Sequence, residues 1–401
     1  MGSEKMTTPD ARAADDWDPS GPEASADPLG VQARLRERCP VAWTGRLGDG
    51  FWALTRYDDV VMAARNTAVL SNAGNPRFGS RLSPPIESDR PEHTVYRRIL
   101  SPYFSRDRLA ALEPAVRDLV DGLLDPLLRA GEGDLVPGFT SPLPVRVLCA
   151  LLRIPVDDAA NIKRWSDEVF ASMEERGNDP VRRQAAEERL QAYGRALVAE
   201  RMSLELDPDE DLITGLITKQ VGDRRMTNDE IVAMIRLLLS AGHNSTTNAL
   251  GNSILALARD PELQERLRAT PSEIPSAVDE LLRYESPVMA TKRLAVQDLE
   301  VRDRLIRAGE AVFLVWSSAN RDERHFDRPD ECLIDRDPQD HVAFGRGIHR
   351  CVGMTLALIE LRIAFERLLA RTRRFGLAGP VQRTSWERLG VSSMPMSFEP
   401  R

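Results

Sequence analysis

Apolar positions spaced three and four apart recur from Pro91 to about Arg373, the signature of helices that each bury one face. Pro137-Gly138, Pro155, Pro180, Pro208 and Pro261 punctuate this run and mark helix boundaries. Two regions break the helical period. Val41–Trp43 and Phe51–Thr55, on either side of Gly48-Asp49-Gly50, predict a hairpin, and Ala295–Val301 with Ala311–Val315, flanking Gly309, predict strands. Short helices are expected over Val31–Arg38 and Tyr57–Arg65. Residues 1–27 are rich in Ala, Asp, Pro, Ser and Gly, with Trp17 the one large aromatic, and read as a flexible leader ahead of a domain spanning 28–401. Ser71–Ser88 carries Gly74, Pro76, Gly79, Pro84 and Pro85 and is too long for a plain connector, which suggests a functional loop. No hinge-like stretch divides the helical run. The pattern therefore predicts one large fold, mainly α with a small β portion.

Thr227-Asn228-Asp229-Glu230 is a capping box, in which Thr and Glu each satisfy an orphan amide at a helix start. Helical residues continue to Arg259, giving roughly 30 residues and about 45 Å, enough to cross a whole domain. The centre of this helix, Ala241-Gly242-His243-Asn244-Ser245-Thr246-Thr247-Asn248, is a run of poor helix formers between apolar flanks. Glycine alone costs about 1 kcal/mol there relative to alanine. Two readings stay open: the patch lines a cavity where hydroxyls and a missing Cβ let a ligand approach, or it is a hydrogen-bonded kink with no ligand.

Composition narrows the class. With 54 basic and 62 acidic side chains in 401 residues the formal charge is −8, which argues against nucleic-acid binding. Hydrophobic residues make up 42% and charged residues 29%, as in ordinary globular chains. No stretch of about 18 apolar residues is present, so no membrane span is expected. Length alone, at roughly 150 residues per domain, allows two or three domains, but the uninterrupted helical run favours one. Cys39, Cys149, Cys332 and Cys351 form no C-x-x-C pair and are too few for a disulfide scaffold, which fits a reducing cytoplasm. Each is by default a small buried hydrophobe.

One cysteine departs from that default. Phe344-Gly345-Arg346-Gly347-Ile348-His349-Arg350-Cys351-Val352-Gly353 is a glycine-rich loop that delivers Cys351 to the start of a helix, Met354–Arg371. Helix-start amides favour a thiolate, the form that ligates metals or attacks electrophiles. Glycines let the backbone pass close to a flat, bulky group, and Phe344 offers an aromatic face beside the sulfur.

The loop resembles the haem-binding signature of the cytochrome P450 superfamily, F-G-x-G-x-H-x-C-x-G, whose cysteine thiolate is the axial iron ligand. Further segments follow in the family's order. Glu280-Leu281-Leu282-Arg283 is similar to its E-x-x-R ion pair, and Asp89–Arg98 to a segment in which His93 and Arg97 grip a haem propionate. Arg293 and His349 match further propionate donors, and Ala319–Asp322 with His341–Phe344 match the approach to the haem loop. The resemblance spans roughly Pro28 to Arg401 and implies a P450 fold enclosing haem b. It places Cys351 on the iron, and His93, Arg97, Ala241, Gly242, Arg293, Phe344, Gly345, His349 and Gly353 around the cofactor.

It also implies a monooxygenase: electrons reach the iron, O2 binds beside Ala241–Ser245, and one oxygen atom enters a C–H bond of a small organic substrate by hydroxylation or oxidative dealkylation. Ferredoxin and ferredoxin reductase are the implied electron donors, docking on a basic face formed by Arg98, Arg346, Arg350 and Arg362, and the expected state is a cytoplasmic monomer. Rival readings are a peroxygenase using hydrogen peroxide and a haem-binding protein without catalysis.

Two departures bear on function. The family's acid-alcohol pair in the long helix is Asn244-Ser245 here. Asn cannot ionise, so proton delivery is expected through Ser245, Thr246, ordered water or a substrate group, with Asn244 a substrate contact or neutral filler as the alternatives. Relatives carry Arg-Phe where this chain has Glu331-Cys332, so Arg328 or Arg336 is expected to complete the network around Glu280 and Arg283. The pocket is expected to draw on Ser71–Ser88, Leu238–Ser245, Val288–Lys292 and Val391–Met396, with Arg77 and Arg81 as candidate contacts for an anionic group.

Overall fold

The computed structural model describes residues 15–73, 83–174, 179–336, 340–384 and 389–401. Its first part runs α1 (Pro22–Ala26), α2 (Pro28–Arg38), β1 (Val41–Thr44), β2 (Phe51–Leu54), α3 (Tyr57–Arg65), β3 (Leu70–Ser71) and α4 (Glu92–Leu100). The helical body follows: α5 (Arg106–Ala110), α6 (Glu113–Ala130), β4 (Glu132–Asp134), α7 (Pro142–Leu152), α8 (Ala159–Glu174), α9 (Pro180–Met202) and α10 (Leu212–Thr218). After a small hairpin, β5 (Gln220–Val221) and β6 (Arg224–Arg225), come α11 (Asn228–Arg259), α12 (Pro261–Ala269) and α13 (Ile274–Tyr284). The chain ends with β7 (Ala290–Ala295), β8 (Leu299–Val301), β9 (Arg304–Ile306), β10 (Ala311–Val315), α14 (Trp316–Ala319), α15 (Met354–Arg371), β11 (Thr372–Leu377), β12 (Gln382–Arg383), β13 (Val391–Ser393) and β14 (Pro395–Pro400).

The expected hairpin is present, with Ala42 opposite Ala53 and Trp43 opposite Trp52. It joins a five-stranded sheet in the order β1-β2-β10-β7-β3. β10 is buried at four of its five positions and pairs with β2 in parallel and β7 antiparallel, which explains its continuous apolar run. The strand expected over Ala295–Val301 divides instead. β7 begins earlier, at Ala290, and ends at Ala295, and β8 starts at Leu299. Thr291, Lys292 and Arg293 hid the first half of β7 from a pattern based on apolar residues.

Residues 15–27, read as part of a flexible leader, fold against this sheet. Asp16 exchanges hydrogen bonds with the backbone of Trp43, at 2.9 and 2.8 Å, and Trp17 packs edge-on to Phe51 with ring centroids 6.2 Å apart. A tryptophan with a strand to lie on gains enough burial to order its neighbours.

The capping box forms as expected. Thr227 Oγ1 accepts from the Glu230 amide at 3.2 Å, and Glu230 accepts from the Thr227 amide at 2.7 Å. From there α11 runs unbroken for 32 residues, packed against α7, α8 and α9 on one side and α13 and α15 on the other. One large apolar cluster extends from Tyr96 on α4 through α6, α7 and α11 to Phe398 on β14, and a second lies around the five-stranded sheet.

A buried ionic network ties α13 to the chain that leads toward Cys351. Arg283 and Glu280, both fully buried, form a bidentate pair at 2.8 Å. The other Arg283 protons go to the carbonyls of Asn320, Pro329 and Glu331, at 2.8 to 2.9 Å, so the whole guanidinium is satisfied. Arg336 completes the network: its Nε lies 3.2 Å from Glu280 Oε1, which also accepts from the Leu333 amide. Arg328 instead pairs with Asp327 and Glu331 at the surface. Glu280→Ala is expected to cost about 3–5 kcal/mol, because it strands a buried guanidinium. Arg336→Ala is expected to cost about 1–2 kcal/mol, because Glu280 keeps its other partners. Urea unfolding of the two variants checks the order, and equal losses would contradict the network described.

Candidate functional site

The glycine loop before α15 is shaped by backbone conformations that side chains resist. Gly345 and Gly347 have φ of 70° and 73°, and a Cβ on Gly347 would lie 2.5 Å from the Ala64 carbonyl oxygen at the end of α3. The loop is closed on itself by Gly345 N–H to Val342 O and Cys351 N–H to Phe344 O, each 2.9 Å. Asn320 supports it from behind, accepting from the Val342 amide at 2.7 Å while donating to Ser286 Oγ at 2.7 Å. Cys351 is thereby set three residues ahead of α15.

Cys351 keeps accessible surface, yet protein surrounds it closely enough that burial pushes its thiol pKa up. Both observations hold for a sulfur that faces an internal space rather than bulk water. The Gly353 amide and the charges of Arg97 and Arg350 act in the opposite direction, toward thiolate, but burial outweighs them. The helix-start amide expected from the sequence is therefore present and acts toward the thiolate. A metal cation bound at the sulfur would add to that effect, since a coordinated thiol loses its proton.

Beside Cys351 converge the expected donors. His93 and Arg97 stand one turn apart on α4, and the His93 and His349 rings meet with centroids 4.3 Å apart. Burial pushes the His349 pKa down to about 2, assisted by the charges of Arg293, His93 and Arg97. His93 is pushed down to about 4 by burial and by Arg97 and Arg90, opposed by Asp89. His93 Nδ1 and His349 Nε2 are buried without a hydrogen-bond partner among the described residues. Two buried ring nitrogens without a partner, beside the charges of Arg97 and Arg293, fit an anion, and four donor side chains in all fit a dianion. The two propionates of a haem carry that charge, so the residues present fit the group.

The turn Ala241–Ser245 settles between cavity and kink. α11 is buried at every position over Met234–Ser240 and Thr246–Leu255, whereas Ala241, Asn244 and Ser245 are half-buried and Gly242 is exposed. The helix thus stays unbroken while its burial lapses at this turn, which fits the wall of a cavity and not a kink. Ala241 packs with Leu237, Ile86 and Phe170 as an apolar wall, while the missing Cβ of Gly242 looks toward Leu148 at an ordinary 3.5 Å. Thr246 is buried. Asn244 Nδ2 donates to Ser166 Oγ on α8 at 3.2 Å, and Ser166 Oγ donates to the Ser240 carbonyl at 3.2 Å. The single Ser166 proton is thus committed, so residue 244 has to bring a donor, which an amide does and a carboxylate does not. Sequence reasoning missed Ser166, because one serine on an amphipathic helix carries no signal of its partner.

The basic face is smaller than expected. Arg346 bonds Asp340 and Tyr57, and Arg362 bonds Glu113 and Glu366, leaving Arg98 and Arg350 as the exposed pair. Cys332 is a bystander, its pKa pushed up to about 12 by burial. Arg77 and Arg81 lie outside the described residues. In the tail, Val391 faces Gly251 of α11. A half-open recess of about 470 Å³ between Trp17, Val31, Leu35 and Cys39 contains none of the groups above.

His93 makes the electrostatics testable. An unfolded histidine binds a proton near pH 6.5, whereas folded His93 does so only near 4. As pH falls from 7 to 5 the unfolded state gains protons that the folded state does not, so the cofactor-free protein loses about 1–2 kcal/mol through this residue. Urea unfolding at both pH values is expected to show a smaller acid loss in His93→Gln, and also in the haem-loaded parent, where carboxylates favour the protonated ring. An acid loss unchanged by His93→Gln would contradict the assignment.

A family profile described as Cytochrome P450 matches residues 177–377. The chain is 34% identical to a Vitamin D(3) 25-hydroxylase of Pseudonocardia autotrophica, over 94% of this chain and 94% of the relative. It is 33% identical to the Mycinamicin IV hydroxylase/epoxidase of Micromonospora griseorubida, over 84% and 86%. Its structure superposes on the bacillaene polyketide synthase cytochrome P450 PksS of Bacillus subtilis with a TM-score of 0.87 at 30% identity, covering 96% of this chain and 100% of the other. Members of the family bind haem b through a cysteine thiolate, the group that the loop, the donor cluster and the opened helix turn fit independently. This chain belongs to the cytochrome P450 family.

Proposed function

We propose that the protein is a ferredoxin-dependent monooxygenase that places one oxygen atom from O2 into a C–H bond of a small organic substrate. The observation that carries this reading is the pairing of an enclosed cysteine and its unsatisfied donor cluster with a helix that opens at a hydroxyl-bearing turn. Haem bound there supplies a thiolate-ligated iron, and electron donation from the thiolate favours O–O cleavage.

The protein's own part follows from its residues. Cys351 would ligate the iron, and Phe344, Gly345 and Gly353 shape the loop around the sulfur. His93, Arg97, Arg293 and His349 would hold the two carboxylates. Ala241 and Gly242 would border the cofactor, and Ile86, Phe170 and Leu237 continue from Ala241 as an apolar wall that would exclude water from the reacting C–H bond. Ser245 offers a half-buried hydroxyl that can hold or donate a proton at Oγ, next to buried Thr246. Asn244 positions this turn by holding α8 through Ser166. Arg98 and Arg350, exposed near the cysteine loop, offer the docking charge for an acidic ferredoxin supplied by its reductase. The wall selects apolar substrate surface, and the relatives' printed roles, on a vitamin D and on mycinamicin IV, support a substrate of that character.

Turnover under ¹⁸O2 with a ferredoxin, its reductase and NADPH is expected to label the product with one heavy oxygen. Ser245→Ala is expected to lower product per NADPH by about tenfold or more, as for loss of a positioned proton donor. Peroxide alone supporting the same rate would favour a peroxygenase. Absence of any substrate turnover with correct haem loading would point to a non-catalytic haem protein.

A further inference from the structure

Behind the apolar wall lies a second cluster that the reaction does not use. Arg236, on α11 beside Leu237, is only 2% exposed, and so are its neighbours nearly buried: Ser83 at 0%, Glu87 at 3% and Glu187 at 6%. The Arg236 guanidinium donates to Ser83 Oγ, and the Ser83 amide donates to Glu87 Oε2 at 2.7 Å. Glu187 on α9 is paired with Arg183 at 2.8 Å. Burial lowers the Arg236 pKa; the fields of Glu187 and Glu87 oppose that loss and the field of Arg183 adds to it.

We propose that Arg236 is a positioning residue that pins the segment Ser83–Ser88 to α11, and so sets the width of the substrate pocket and the rate at which molecules enter it. Two stretches distant in sequence meet at one buried cation. Moving Ser83 away from α11 takes an acceptor from a buried guanidinium, which is costly. Ile86 lies three residues beyond Ser83 and forms the wall with Phe170, Leu237 and Ala241. The pin therefore acts on the wall directly: where Ser83 and Glu87 are held, Ile86 is held. An apolar side chain of similar length at position 236 would fill the space, leave Glu187 with Arg183 and Glu87 with the Ser83 amide, and release the link between the Ser83 segment and α11.

The inference rests on the haem reading above, and the experiment separates the two. The probe is 4-phenylimidazole, whose nitrogen ligates haem iron and shifts its Soret band, followed by stopped flow on haem-loaded protein. Arg236→Met is expected to speed both binding and release of the probe by about tenfold, a fraction of the cost of stranding a buried charge. Arg236→Lys keeps the charge without the planar fork and is expected to speed both about threefold, so the lysine variant decides the matter if the methionine variant folds poorly. Rates within about twofold of the parent in a haem-loaded variant would overturn the pin. A parent protein that takes up no haem would instead overturn the functional reading.

Discussion

A thiol enclosed by protein resists ionisation, and the surroundings of Cys351 are organised around that cost. Burial raises its pKa, while one amide and two arginines oppose the rise without cancelling it. A metal cation at the sulfur would favour the thiolate against that burial. Rigidity is the device by which the protein holds the sulfur there. Gly347 packs its backbone against Ala64 where no side chain fits, Asn320 fastens the loop to α13, and Arg283 donates to three carbonyls of the chain that approaches the loop. A cysteine ligand on a loose loop would relax toward burial in apolar contacts, as Cys149 and Cys332 have done.

The electrostatics beside the cysteine run the other way. Arg97 and Arg293 supply positive potential, and His93 Nδ1 and His349 Nε2 are buried without a hydrogen-bond partner among the described residues, a combination that carboxylates would relieve. Cofactor binding and folding are thus coupled through both partners, iron to the sulfur and carboxylates to the donors. On the far side, polar groups are few and committed. Asn244 donates to Ser166, whose own proton goes to the Ser240 carbonyl, and Arg236 donates to Ser83, while Ile86, Phe170, Leu237 and Ala241 pack as apolar surface.

Local signals were legible in the sequence and long-range ones were not. The capping box at Thr227, the hairpin around Gly48–Gly50 and the glycine loop before Cys351 depend on neighbours within a few residues, and the structure places all three where the pattern put them. The contact of Trp17 with Phe51 joins residues 34 apart, which no local pattern registers, although the strand carrying Phe51 was itself legible. Arg346 and Arg362 were counted as a free basic face because Asp340, Glu113 and Glu366 meet them only after folding. The choice of Arg336 over Arg328 follows from which side chain reaches Glu280, a matter of geometry alone. Ser166 explains why position 244 is an amide, and the sequence places those residues 78 apart.

The most direct test of the account is the absorption spectrum of the reduced, haem-loaded protein under carbon monoxide, recorded for the parent and for Cys351→Ser. Thiolate ligation by Cys351 predicts the red-shifted Soret band in the parent and its loss in the variant. An imidazole-type band in the parent, or a red-shifted band that survives the substitution, would contradict it.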